Sequence, residues 1–291
     1  MHSTPPPISL PLQFQDGPGK LHAFSTGLVA VKTGYLNAKG NATLSKLRFL
    51  MQSSFTDWLP IWVWVIEHPE GIFVIDTGEN ARVTEPDYFD GEGAFQRWIN
   101  KTQFKFKVAP EEEIGPQLKR LGLSTSQLKA VVLTHLHIDH IDGLDAFPEV
   151  PIWVNRQEWE QPSFVPHSLL PDWLKPELLE VKASQDGEFE ASVPLTASQE
   201  LSLISTPGHT PHHCSVLVQT KDLHFFLAGD VSYDQSQLLT GVMSAGHSSF
   251  QQSRESLQRI RNYANRHQMI YLPSHDPEAG DRLKKGLPLL D

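Results

Sequence analysis

A chain of 291 residues with 39% apolar side chains is long enough to bury a sizeable core in one large domain. Its 24 Lys+Arg against 34 Asp+Glu leave a formal charge of −10, a poor surface for phosphate backbones, so nucleic acid is not an expected partner. The single cysteine, Cys214, excludes an internal disulfide framework and Cys-rich zinc modules, and the 14 histidines point instead to imidazole–carboxylate metal chemistry.

Residues 1–20 open with MHSTPPPISLP and read as an N-terminal arm, because successive prolines remove backbone donors and favour extended chain. The arm has neither the basic start nor the apolar stretch of an export signal, and no apolar run approaches the ~20 residues that span a bilayer. The expectation is a cytoplasmic protein without membrane contact. Residues 21–291 are expected to form a single domain. Short runs rich in Val, Ile, Leu and Phe predict strands at 27–32, 61–67, 71–75, 130–134, 151–154, 201–205, 215–219, 224–228 and 269–272. Many are continuously apolar, as strands buried on both faces are. Helices are predicted at 111–121, with acids early and Lys119 and Arg120 late, and at 249–266, where Leu257, Ile260 and Tyr263 share a face. Segments 78–110 and 160–197 read as loops or short helices over the core. Trp153 and Trp173 are expected to pack, and Cys214 to be a buried small hydrophobe. Mixed strands and helices of this kind predict an α/β class with helix-covered sheets.

The strand at 130–134 runs straight into His135-Leu136-His137-Ile138-Asp139-His140. His135 and His137 are two apart, so in extended chain they project to one side and can hold a cation between them. Asp139 and His140 follow as the chain turns and can face a second cation. Three further buried strands stop on ligand residues: 201–205 leads to His209 after a Pro-Gly turn, 224–228 to Asp230 and 269–272 to His275. Such imidazoles and carboxylates suit two first-row divalent ions, with Asp230 able to bridge. Zinc is the expected metal, and iron, cobalt and manganese also accept this set. Paired cations would trap a bridging water and lower its pKa towards neutrality, which predicts hydrolysis without a Ser or Cys nucleophile.

These motifs resemble the metal set of the metallo-β-lactamase superfamily, whose fold is an αβ/βα sandwich of two mixed sheets flanked by helices. The resemblance spans about residues 27–275. Ile75-Asp76-Thr77-Gly78 resembles the superfamily's strand-end Asp-Thr-Gly and implies that Asp76 holds a ligand histidine from behind. Asp230-Val231-Ser232-Tyr233 resembles the Asp-x-Ser-Tyr of the N-acyl-homoserine lactonases, as do segment 58–78 and Thr206-Pro207-Gly208-His209. The resemblance implies one metal on His135, His137 and His209, a second on Asp139, His140 and His275, and Asp230 between them. It implies a quorum-quenching reaction in which a metal-bridging hydroxide opens the lactone ring of an N-acyl-homoserine lactone. Tyr233 and Asp139 are the implied catalytic residues, Tyr233 at the substrate carbonyl and Asp139 as proton relay. Phe49, Met51 and Phe55 are the candidate acyl-binding residues, because their segment mixes them with polar side chains and reads as a loop. Phe95, Trp98, Phe104 and Phe106 punctuate the less regular insert, and His212 and His213 are placed around the site. The alternatives are a glyoxalase II-like thioesterase, an aryl esterase or an organophosphate hydrolase of the same fold, and a non-catalytic metal scaffold. The proline-bearing arm and tryptophan-rich first half suggest a homodimer.

Overall fold

The computed structural model describes residues 4–38, 45, 49–184 and 187–290; residues 1–3 of the expected arm and residue 291 lie outside them. The first sheet contains β1 (Ile8–Phe14), β2 (Gly17–Val31), β3 (Leu59–His68), β4 (Gly71–Ile75), β5 (Phe104–Lys107), β6 (Leu128–Leu133), β7 (Ile152–Asn155) and β8 (Glu177–Leu179). Its spatial order is β1-β2-β3-β4-β6-β7-β8, with β5 paired to β2. The second contains β9 (Lys182–Ala183), β10 (Ala191–Pro194), β11 (Leu201–Ser205), β12 (Cys214–Gln219), β13 (His224–Gly229) and β14 (Met269–Pro273), and runs in order from β14 to β9. Both sheets are mixed: β4, β6, β7 and β8 are parallel neighbours, as are β13 and β14.

The continuous apolar run of β3 is explained by burial on both faces. Trp62, Trp64 and Ile66 join the core between the sheets, beside Leu203, Val216, Phe225 and Leu272. Val63 and Val65, the alternate positions, join a second core on the outer face of the first sheet. That outer core is closed by Ile114 and Leu118 of α2 (Ile114–Arg120) and Ile141 of α3 (Ile138–Ile141). The insert before α2 carries α1 (Ala94–Gln103). On the far side, Leu238 of α5 (Gln235–Thr240) and Leu257, Ile260 and Tyr263 of α6 (Phe250–Ala264) cover the second sheet. Helix–sheet–sheet–helix layering is the αβ/βα sandwich expected from the sequence. Between α3 and α5 lies α4 (Arg156–Glu160), and α7 (Ala279–Lys285) follows β14.

Local chemistry sets the boundaries. Ser249 caps α6, its side chain accepting from the Gln252 N–H. The expected helix at 111–121 instead begins at Ile114 after a 3₁₀ turn over Pro110–Glu112. Pro116 explains the shift: in the first turn its missing N–H costs nothing, whereas a start at residue 111 would put it in the helix interior. The expected arm of residues 1–20 is a further correction. From residue 8 onwards it is sheet, with Ile8 opposite Ala23 and Phe14 opposite Gly17. Pro11 is tolerated because β1 is the edge strand. Trp153, Trp173 and Cys214 pack into or against the cores, as expected.

Candidate metal centre and the adjoining pocket

β4, β6, β11, β13 and β14 end at one edge of the sandwich, and the residue or loop after each supplies the site. Ligand atoms of His135, His137 and His209 lie within 4.8 Å of one another, as do those of Asp139, His140 and His275 and those of His135, His140 and Asp230. Asp230 stands between the outer groups: Oδ2 is 3.5 Å from His209 Nε2, and Oδ1 is 3.2 Å from His140 Nε2 and 3.4 Å from His275 Nε2. The sequence-derived residues therefore converge as two sets of three around one aspartate.

Several side chains are locked in a ligand-ready state. His275 Nδ1 donates to the Pro60 carbonyl at 3.0 Å, and His140 Nδ1 donates to Asp76 Oδ2 at 2.8 Å. An acceptor-only partner fixes the proton on Nδ1 and leaves the Nε2 lone pair for a cation. Asp76 also accepts from the Thr134 N–H and hydroxyl, at 2.8 and 2.9 Å. These bonds hold it although its backbone φ of 59° is in the left-handed region. His213 accepts from the Asp230 N–H at 3.0 Å, and a Cβ at Gly229 would come within 2.7 Å of that same His213 nitrogen. Glu158 of α4 was not anticipated. It accepts from Thr210 Oγ1 at 2.7 Å and Leu136 N at 3.3 Å, joining the loop of His209 to that of His135 and His137.

Whether a cation fits is answered by the buried polar atoms. Among the described residues, His135 Nε2, His140 Nε2, Asp230 Oδ1 and His275 Nε2 are buried without a hydrogen-bond partner, and they cluster here. Orphaned atoms of this kind are costly unless something binds them, and imidazole with carboxylate is the donor set of zinc and its first-row neighbours. Burial opposes charge on His140, yet Asp230 and Asp76 beside it hold its affinity for a proton well above the usual imidazole range. The field that would attract that proton would equally hold a metal ion. His135 and His209, by contrast, are pushed well below the usual range, by burial and then by neighbouring imidazoles.

Over this cluster opens a cavity of about 220 Å³. His137, Asp139, His209, Asp230 and Tyr233 form its polar end, and Phe49, Phe95, Ile99, Phe104, Phe106 and Pro166 its apolar wall. The Tyr233 ring stacks on His275 at 4.6 Å between centroids and 23° between planes. Of the expected acyl-binding residues, Phe49 is in the wall, but Met51 and Phe55 are not. Met51 is 86% exposed, and Phe55 lies under the ammonium groups of Lys32 and Lys105 at 4.4 and 4.1 Å. Residues 49–51 are helical rather than loop, which turns Phe49 inwards and leaves Met51 in solvent. The insert supplies most of the wall instead, through Phe95, Ile99, Phe104 and Phe106.

Residues 56–275 match the model of the metallo-beta-lactamase superfamily. The chain belongs to that superfamily. Among relatives within it, an N-acyl homoserine lactonase from a Bacillus species is 31% identical over 225 residues, covering 76% of this chain and 82% of the relative. The fold of this metallo-β-lactamase superfamily member is similar to that of an N-acyl homoserine lactone hydrolase with N-hexanoyl-L-homoserine bound at its catalytic metal center. That match has a TM-score of 0.71 and 23% identity, over 90% of this chain and 94% of the other. It is also similar to a dizinc quorum-quenching lactonase in complex with the same product, at a TM-score of 0.63 and 14% identity, over 94% and 92% of the two chains.

Proposed function

We propose that this protein is a metal-dependent hydrolase that opens the lactone ring of N-acyl-homoserine lactones and so quenches the signals they carry. The observation that carries the reading is the placement of Tyr233, whose phenol stands against a candidate metal ligand at the polar end of a cavity with an aromatic wall. The kinship with N-acyl homoserine lactonases supports it.

His135, His137 and His209 would hold one divalent cation and Asp139, His140 and His275 the other, with Asp230 between. Zinc is the proposed metal, on the strength of the donor set and the dizinc relative. When bound, the pair supplies a hydrolytic water of lowered pKa and positive charge for the substrate carbonyl. The chain does the rest. Tyr233 donates its O–H to the carbonyl oxygen, where negative charge grows in the transition state; burial raises the pKa of the phenol well above its ordinary value, so the oxygen keeps its proton. Asp139, whose side chain is partly exposed to the cavity, takes the proton of the attacking water and passes it to the ring oxygen as the C–O bond breaks. The aromatic wall receives the acyl tail and excludes water from the reacting end. Acid and alcohol of the open ring leave as one N-acyl-homoserine.

The test is acid release by the zinc-loaded protein from N-butanoyl, N-hexanoyl and N-decanoyl-homoserine lactones, beside a glutathione thioester and an aryl phosphotriester. The lactones are expected to be the preferred substrates. Brisk thioester or triester turnover without lactone turnover would overturn the assignment.

A further inference from the structure

The mechanism above uses the apolar side chains of the cavity wall and leaves out a polar one, Asn100. Phe95, Gln96, Ile99 and Asn100 of α1 all line the cavity, because positions one, four and five apart share a face of a helix. That face runs from the mouth to the depth. Exposure falls from 62% at Phe95 to 7% at Ile99 and 8% at Asn100. The chain then passes straight into β5, whose Phe104 packs on Tyr35 at 5.8 Å between centroids, and Tyr35 packs on Tyr233 at 5.3 Å. Asn100 therefore stands at the end of α1 that is nearer the reacting groups. The two polar residues of the face differ. Gln96 Nε2 donates to the Phe164 carbonyl at 3.3 Å and so ties α1 to the loop after α4. The Asn100 side chain, among the described residues, makes no hydrogen bond. An asparagine there costs stability twice over, as a poorer helix former than leucine or alanine and as a buried amide that has lost its hydration. Its acceptor and donors are left to what the cavity holds.

We propose that Asn100 binds the exocyclic amide of the substrate, and so sets a preference for N-acyl-homoserine lactones over lactones whose ring carries a plain alkyl chain. The inference rests on the lactone-opening reading, which places the ring carbonyl at Tyr233. In such a substrate the amide nitrogen is two bonds from the carbonyl carbon, so its partner has to stand at the inner end of the wall. The tail beyond is apolar in both kinds of lactone and meets Ile99 and Phe95. A primary amide offers an acceptor and two donors, so Asn100 can accept from the substrate N–H or donate to the acyl carbonyl. An alkyl chain answers neither, and leaves the asparagine buried without a partner. That penalty is what makes a polar group in an apolar pocket selective. No covalent step is added.

The experiment measures kcat/KM of zinc-loaded wild type, Asn100→Leu and Asn100→Ala on N-hexanoyl-homoserine lactone and on α-heptyl-γ-butyrolactone, a lactone of similar reach without the amide, with zinc content and Tm recorded. Wild type is expected to prefer the acylated lactone. Asn100→Leu is expected to lower kcat/KM on that substrate about tenfold and to leave the alkyl lactone within about twofold, with zinc content unchanged. Asn100→Ala, which cannot overpack the wall, is expected to shift the preference in the same direction. Its Tm is expected at or above wild type, because alanine favours helix and no bond within the fold is lost. Equal losses on the two lactones, a preference within about twofold of wild type, or a Tm lowered in both variants would each overturn the proposal. Wild type inactive on both lactones would refute the functional reading and this inference with it, whereas an active wild type whose preference the variants do not shift refutes this inference alone.

Discussion

Asp76 spends three hydrogen bonds on Thr134 and His140 while its backbone sits at a φ of 59°, so the centre depends on a residue that touches no substrate. Asp76→Ala is expected to weaken metal binding about 10–100-fold, measured by competition with a chelator; unchanged affinity would show that His140 orients itself. Glu158 makes a different prediction. Burial raises its pKa from the ordinary 4.5 to about 7, against the hydrogen bonds it accepts. A carboxyl with a raised folded pKa costs nothing below about 4.5 and its full penalty above about 7, so this group's contribution to stability falls as pH climbs through that window. The limit is about 3 kcal/mol at about 1.4 kcal/mol per unit. Glu158→Gln lacks this dependence, so its Tm should gain on wild type between pH 5 and 7.5; a constant difference in Tm would refute it. The candidate metal ligands were legible because His and Asp follow buried strands at spacings that suit a shared ion. Glu158 was not, because its partners Thr210 and Leu136 lie far along the chain and nothing about a glutamate is unusual locally.

At the scale of elements, the insert between β4 and α2 supplies most of the cavity's apolar wall. It is bolted to the turn after Asp139 and His140 by Tyr88, whose hydroxyl donates to buried Asp142, and by Asn80, which donates to the Asp142 carbonyl at 2.9 Å. Tyr88→Phe leaves a buried carboxylate short of a donor and should cost about 1–3 kcal/mol of unfolding free energy, read by denaturant titration. Phe106→Ala opens the wall and is expected to raise KM for an N-decanoyl lactone several-fold more than for an N-butanoyl one. Equal effects on both would place the tail elsewhere. Local composition marked Met51 and Phe55 as pocket residues, but only long-range pairing determines which way a side chain points. The same limit hid β1 and the first half of β2, where Pro11, Lys20 and His22 interrupt the apolar run although the chain is paired throughout. β14, with every residue buried, was legible because its run is apolar on both faces.

Across the whole molecule, two sheets meet along a continuous core and bring five strand ends to one rim. No helix among the described residues is long and apolar enough to cross a membrane. The orphaned imidazole and carboxylate atoms at the rim make the metal-free fold the less stable form. Chelation should therefore lower Tm, and saturating zinc should restore it. The proposed lactone opening needs two cations at this rim. Its most direct test is a zinc titration of the metal-free protein, with acid release from N-hexanoyl-homoserine lactone followed at each step. Turnover is predicted to rise and reach its plateau at two zinc ions per chain. A plateau at one ion, or no lactone turnover at any ratio, would contradict the account.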